Sequence, residues 1–179
     1  MQPEQFLVLS ALGPDRPGLV SEVTSFIAER GGNVEDSRMA VLGAEFGILL
    51  LVSATPEEIR RISADVAALE QKTGLSFTSR TTKSPEEHRK GDVSPCVIIA
   101  ETLNYEGIVR SVSSGLHTVG VNIVSLETSS YNAPITGSPL FRLEAHVDVP
   151  RGVSIRKVRE AMERVAEQEN IDIEVRSPR

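Results

Sequence analysis

The chain repeats itself. Shifted by 89 residues, it lies on its own second half without a gap from Val8, which meets Val97, to Val34, which meets Ile123. Between those ends Gly18 meets Gly107, Val23 meets Val112, Gly31 meets Gly120 and Asn33 meets Asn122. Further along the offset grows to 96, where Ile59 meets Ile155, Ile62 meets Val158, Leu69 meets Val165 and Phe77 meets Ile173. The extra residues are read as the loop from Asn132 to Pro139. Whatever topology the first copy adopts, the second must adopt too, each around a small core of its own.

That topology follows from the hydrophobic periods. Phe6 to Leu12 is a short apolar run bounded by turn residues, which suits a buried strand. From Leu19 the positions Leu19, Val20, Val23, Phe26 and Ile27 follow helical spacing as far as Arg30, and Gly31-Gly32 stop the helix. Val34 to Leu42 and Phe46 to Ala54 flank Gly43-Ala44-Glu45, a hairpin length that makes them antiparallel neighbours. Thr55-Pro56-Glu57-Glu58 opens a second helix with a capping residue, a first-turn proline and acids at the positive end. Ile59, Ile62, Val66 and Leu69 form its apolar stripe, Gly74 closes it, and Leu75, Phe77 and Ser79 alternate as a last strand. The order strand, helix, strand, strand, helix, strand predicts an α+β fold: two ferredoxin-like βαββαβ units in tandem, each an antiparallel sheet with its helices on one face. The expected division is residues 1–82 for the first unit, a solvated linker at 83–94, and 95–179 for the second. In the second unit Phe141, Leu143, Ala145, Val147 and Val149 alternate with Arg142, Glu144, His146 and Asp148, giving that sheet a polar outer face.

Charge and composition limit the partners. The 179 residues carry a net charge of −6 with no basic excess in either copy, which argues against direct nucleic-acid binding. No apolar run is long enough for a membrane span, no signal peptide is read at the start, and the single Cys96 can form no internal disulfide, so a cytoplasmic protein is expected. Cys96 aligns with Leu7 and reads as a core residue. His88, His117 and His146 have no metal-ligand spacing, and no nucleophile elbow, phosphate loop or dinucleotide fingerprint is present. The reading is of a protein that is not an enzyme, with neither cofactor nor metal. The basic run Arg151, Arg156, Lys157, Arg159 and Arg164 interleaves with Glu160, Glu163 and Glu167 at helical pair spacing, as a self-paired solvated face would.

The two strand-to-helix elbows remain. The first, Gly13-Pro14-Asp15-Arg16-Pro17-Gly18, places Asp15 to cap the helix and Pro17 at its first position, and the free amides there favour an anion. Such a turn also serves backbone geometry alone. The second elbow keeps Gly107 but replaces Asp15, Arg16 and Pro17 with Asn104, Tyr105 and Glu106. Asn33 and Asn122 open the second strand of each copy, where the amide either bonds a ligand or ends the helix.

The duplicated pattern, with Asp15-Arg16-Pro17-Gly18-Leu19-Val20 and Gly32-Asn33-Val34, resembles ACT domains over nearly the whole chain. The longer runs Ala11 to Gly18, Asn33 to Arg38 and Leu42 to Phe46 resemble two-unit members that regulate glycine and one-carbon metabolism. The resemblance implies amino-acid sensing, glycine being one candidate ligand, with regulation through a protein partner such as a transcriptional regulator. It carries the ligand positions onto Asp15, Arg16, Pro17, Gly18, Leu19 and Asn33, and in the second copy onto Gly107, Ile108 and Asn122 only. Glu106 adds a negative charge where a carboxylate would dock, so one good site per chain or per interface is expected. Free sheet edges point to a homodimer. The competing readings are a ligand-independent assembly module and the regulatory subunit of a separate enzyme.

Overall fold

A computed structural model describes residues 4–88, 91–134 and 136–177. The linker residues Arg89 and Lys90 and the loop residue Ile135 lie outside that set. The chain forms two units, Met1–Arg89 and Lys90–Arg179.

In the first unit β1 (Gln5–Pro14) is central, antiparallel to both β3 (Glu45–Ala54) and β4 (Ser76–Thr82), and β2 (Asn33–Leu42) extends the sheet beyond β3. The order β2-β3-β1-β4 is the ferredoxin-like one. Alternation decides which face is covered. Leu7, Leu9 and Ala11 of β1 and Phe46, Ile48, Leu50 and Val52 of β3 are buried in one core with Leu19, Val23, Phe26 and Ile27 of α1 (Leu19–Ala28) and Ile59, Ile62 and Leu69 of α2 (Pro56–Thr73). Each fully buried aliphatic side chain contributes about 1.5–3 kcal/mol relative to exposure. The signals at α2 act as predicted: Thr55 and Glu58 form a reciprocal capping box, and Gly74 takes the left-handed conformation, φ 77°, that closes the helix.

The second unit repeats this arrangement with β5 (Val93–Leu103), α4 (Ile108–Thr118), β6 (Asn122–Asn132), β7 (Pro139–Pro150), α5 (Ile155–Glu169) and β8 (Asp172–Arg176) in the order β6-β7-β5-β8. Cys96 is buried in its core among Ile98, Leu143 and Val147. Leu143, Ala145, Val147 and Val149 face that core, whereas Arg142 lies on the outer face, bonded to Glu101 and, at 3.3 Å, to Glu144.

Three local expectations are corrected. Glu45 belongs to β3 and pairs with Leu42, so only Gly43 and Ala44 form the first hairpin's loop. One turn of helix, α3 (Pro85–His88), stands where no regular structure is expected, started by the Ser84 hydroxyl accepting from the Glu87 N–H at 3.1 Å. The added residues of the second copy are not all in the hairpin: Leu50 and Ala145 hold matching places 95 apart, so the last one falls between β7 and α5. Of the four edge strands, β2 and β6 carry a register shift at the same place, between Val34 and Asp36 in β2 and between Ile123 and Ser125 in β6.

Candidate functional site: the elbow before the first helix

β1 ends at Pro14, and the chain turns through Asp15, Arg16 and Pro17 to Gly18, the N-cap of α1. Gly18 has φ 92°, a left-handed conformation that a residue with a Cβ enters only at a cost. This left-handed step corrects two expectations. Pro17 lies before the cap rather than in the first helical position, because Gly18 intervenes. Asp15 does not cap the helix; its N–H donates instead to the Ala44 carbonyl at 3.0 Å, tying the elbow to the hairpin.

The first bond inside α1 runs from the Glu22 N–H to the Gly18 carbonyl at 2.9 Å. The amides of Leu19, Val20 and Ser21 therefore precede the ladder, and no side chain caps them. They carry the partial positive charge of the helix start, which favours an anion. The Leu19 side chain itself is buried, so its contribution to such a site is its backbone.

Arg16 is engaged within the fold. Its guanidinium donates to both Glu22 carboxylate oxygens, at 2.7 and 3.0 Å, and to the Lys72 carbonyl at 3.3 Å. The hydrogen bonds from Arg16 hold the Glu22 carboxyl below the usual carboxylate range, and Glu22 in turn raises the guanidinium. A Cβ at Gly18 would lie 3.5 Å from a Glu22 carboxylate oxygen, so this acid stands beside the helix start with Arg16 neutralising it. No spacing rule points to this pair, because six residues is not a helical pair spacing.

Asn33 is elsewhere. It pairs with Ser53 at one end of β3, while Pro14 pairs with Glu45 at the other. Eight strand steps at about 3.3 Å separate them by roughly 26 Å. The Asn33 amide donates to Glu35 at 2.7 Å, and Ser53, buried, donates to the same carboxylate oxygen at 2.6 Å. These bonds, from Ser53 first and Asn33 second, keep the Glu35 carboxyl below its ordinary range. They also turn the Asn33 amide nitrogen toward Glu35 and leave its oxygen as an acceptor. One elbow and the Asn33 of the same unit cannot both touch a ligand a few ångströms long.

In the second unit Gly107 repeats the cap, with φ 95° and uncapped amides at Ile108 and beyond. Its surroundings differ. The Tyr105 hydroxyl donates to the Glu169 carbonyl at 2.7 Å, Ser111 donates to the Glu169 carboxylate at 2.7 Å, and the Asn104 N–H donates to the Pro139 carbonyl at 2.9 Å. Burial, then the nearby Glu169 charge, pushes the Tyr105 phenol up. Val124 stands where the first unit has Glu35, and no hydrogen bond of the Asn122 side chain occurs among the described residues. Glu22, Glu35 and Ser53 are the participants that sequence reasoning missed.

The ACT domain family matches residues 5–79. The first unit is an ACT domain. The second repeats its element order and sheet, so the chain is built as two ACT-type units in tandem. The glycine cleavage system transcriptional repressor of Escherichia coli (strain K12) is 34% identical over 100 residues, covering 55% of this chain and 53% of that protein. This chain thus spans about half the length of that curated relative in the match. The crystal structure of an unknown protein from Galdieria sulphuraria is similar over 99% of this chain and 100% of its own, with 32% identity and a TM-score of 0.83. A crystal structure of a proposed glycine cleavage system transcriptional repressor, at 24% identity and TM-score 0.73 over 98% of both chains, shares the fold.

Proposed function

We propose that the chain is an amino-acid-sensing regulator of ACT type that acts on glycine or one-carbon metabolism through a protein partner, as a cytoplasmic homodimer and not as an enzyme. The observation that carries this reading is the first elbow: uncapped amides behind Gly18, with the Glu22 carboxylate beside them paired to Arg16. The ligand's carboxylate lies on the amides of Leu19 to Ser21. Its ammonium is taken by the free oxygen of Asn33 from a second copy of the chain, since the Asn33 of the same unit is too far away. Asp15, Arg16 and Pro17 hold the elbow in shape, and Gly107, Ile108 and Asn122 form at most a weaker counterpart. The 34% identity to a glycine cleavage repressor supports the metabolic assignment. No helix among the described residues is long and apolar enough to cross a membrane.

Size bounds the affinity. Glycine has about five heavy atoms, and a ceiling near 1.5 kcal/mol per atom gives roughly −7.5 kcal/mol, so dissociation constants no tighter than several μM are expected. Coupling of about 1–3 kcal/mol to the partner then suffices for a switch. Titration calorimetry with single amino acids, glycine and serine first, tests the reading. Binding that Asn33→Ala weakens at least tenfold supports it, and silence across the set at millimolar concentration removes it.

A ligand-independent assembly module is favoured by one feature, the uncovered face of the first sheet, where Leu49 is 47% exposed beside half-buried Val8 and Leu51. Light scattering with and without amino acids separates the two: assembly indifferent to every ligand is the module's signature.

A further inference from the structure

The duplication supplies an internal control for the groove between the two helices of each unit. In the first unit that groove is plugged. Phe26 of α1 fills it, the Arg30 guanidinium lies 3.7 Å from the Phe26 ring centroid, and Arg30 is fixed by Asp65 of α2 at 2.8 Å and by the Phe26 carbonyl at 3.0 Å. What is left is a cleft of ≈ 160 Å³.

In the second unit all three members of the plug are replaced together. At the matching positions, 89, 89 and 96 residues on, Phe26 becomes Gly115, Arg30 becomes Val119 and Asp65 becomes Ala161. The groove between α4 and α5 opens to ≈ 430 Å³. That volume falls within the roughly 300–1,000 Å³ of small-molecule sites. Its floor is close-packed: a Cβ on Gly115 would fall 2.7 Å from the Met162 methyl and 2.8 Å from a Val165 methyl, so the glycine lets α5 press against the α4 backbone.

The rim changes in a definite direction. Ser21 becomes Arg110 and Ala68 becomes Arg164, both lining the groove. Neither guanidinium has a carboxylate within 4.0 Å among the described residues, so the self-pairing expected of the α5 face holds for Arg156 with Glu160 but not for Arg164. The acid on the wall, Glu169, accepts from the Ser111 hydroxyl at 2.7 Å. Ser114 and Gln168 add donors around the opening, and the Thr118 hydroxyl, which donates to the Gly115 carbonyl at 2.7 Å, adds an acceptor. A groove whose arginines outnumber its one acid is notable in a chain of net charge −6.

We infer that the α4–α5 groove is a binding site for a small metabolite bearing an oxyanion, a phosphate monoester or a carboxylate, held by Arg110 and Arg164 with its remaining polar groups on Ser114, Thr118 and Gln168. Guanidinium forks match both oxyanions and bind them in preference to neutral groups. The first unit has no such site because Phe26, Arg30 and Asp65 occupy the place. The inference is independent of the elbow.

The test uses the full chain, with inorganic phosphate and citrate as the two probes. Titration calorimetry is expected to give millimolar binding of at least one probe; phosphate binding points to a phosphate ester, citrate binding to a carboxylate. Arg110→Gln/Arg164→Gln is expected to weaken that binding at least tenfold, while Arg156→Gln, on the same helix as Arg164 but outside the lining, leaves it unchanged. Backbone amide shifts on titration should map to Ser111, Ser114 and Thr118. These arginines are exposed, and circular dichroism checks that the fold survives; the single variants, each weakening binding, carry the test should the double variant be altered. No binding of either probe, or equal binding to wild type and double variant, overturns the inference.

Discussion

Arg16 and Tyr105 occupy matching positions in the two copies, and each donates to a main-chain carbonyl in the last turn of its unit's second helix, at Lys72 (3.3 Å) and Glu169 (2.7 Å) respectively. The tether of elbow to helix end has thus persisted while its chemistry changed from a charged fork to a phenol. Tyr105→Phe keeps the ring and removes one hydrogen bond, for an expected loss of about 0.5–1.5 kcal/mol. Urea denaturation followed by a probe in the second unit measures it.

Arg16 has a second duty that Tyr105 lacks, the neutralisation of Glu22. In Arg16→Gln the Glu22 carboxylate stands uncompensated beside the helix start, and amino-acid binding is expected to weaken about tenfold, or about 1.4 kcal/mol. Adding Glu22→Gln should restore most of it. Calorimetry on the two variants distinguishes this from direct ligand contact by Arg16, in which case the second substitution rescues nothing.

The same pair gives a pH signature. Because the folded Glu22 carboxyl sits below its ordinary value, its contribution is fully present above the ordinary carboxylate range and disappears as pH falls through the lowered folded value. The melting-temperature difference between wild type and Glu22→Gln should therefore be constant near neutrality and shrink in acid below that range. A difference that grows on acidification contradicts the assigned direction.

Gly18→Ala tests the left-handed cap apart from any ligand. The added methyl meets nothing closer than the Glu22 carboxylate oxygen at 3.5 Å, so the cost is conformational, about 1–2 kcal/mol. Denaturant midpoints should fall accordingly, with an unchanged far-ultraviolet spectrum.

The order of elements was legible because periodicity and glycine placement agree twice over, and two independent copies of a weak signal make a strong one. The cap of α2 was legible for a local reason: Thr55, Pro56 and Glu58 lie within one turn. The start of α1 was misread because Asp15 and Pro17 are equally at home in a turn, and only the backbone of Gly18 shows where the helix begins. Arg16 with Glu22, and Ser53 with Glu35, join residues 6 and 18 apart through the folded backbone, so no spacing rule reaches them. The separation of Asn33 from the elbow was implicit in the topology, since a helix that returns along a sheet carries its two termini to opposite ends of the strands. The plugged and open grooves were also encoded in the alignment of the copies, but Phe26 opposite Gly115 acquires meaning only once Arg30 and Asp65 are seen to hold the ring.

The register shifts in β2 and β6 set a limit on polymerisation. Each of these two strands offers a regular ladder only beyond its shift, from Asp36 to Leu42 and from Ser125 to Asn132. A strand arriving from another molecule can zip along that stretch and no further, because the bulge twists the remaining backbone out of line. Pairing along β2 or β6 is thereby confined to the stretch beyond the shift, whereas the opposite edges, β4 and β8, run without one.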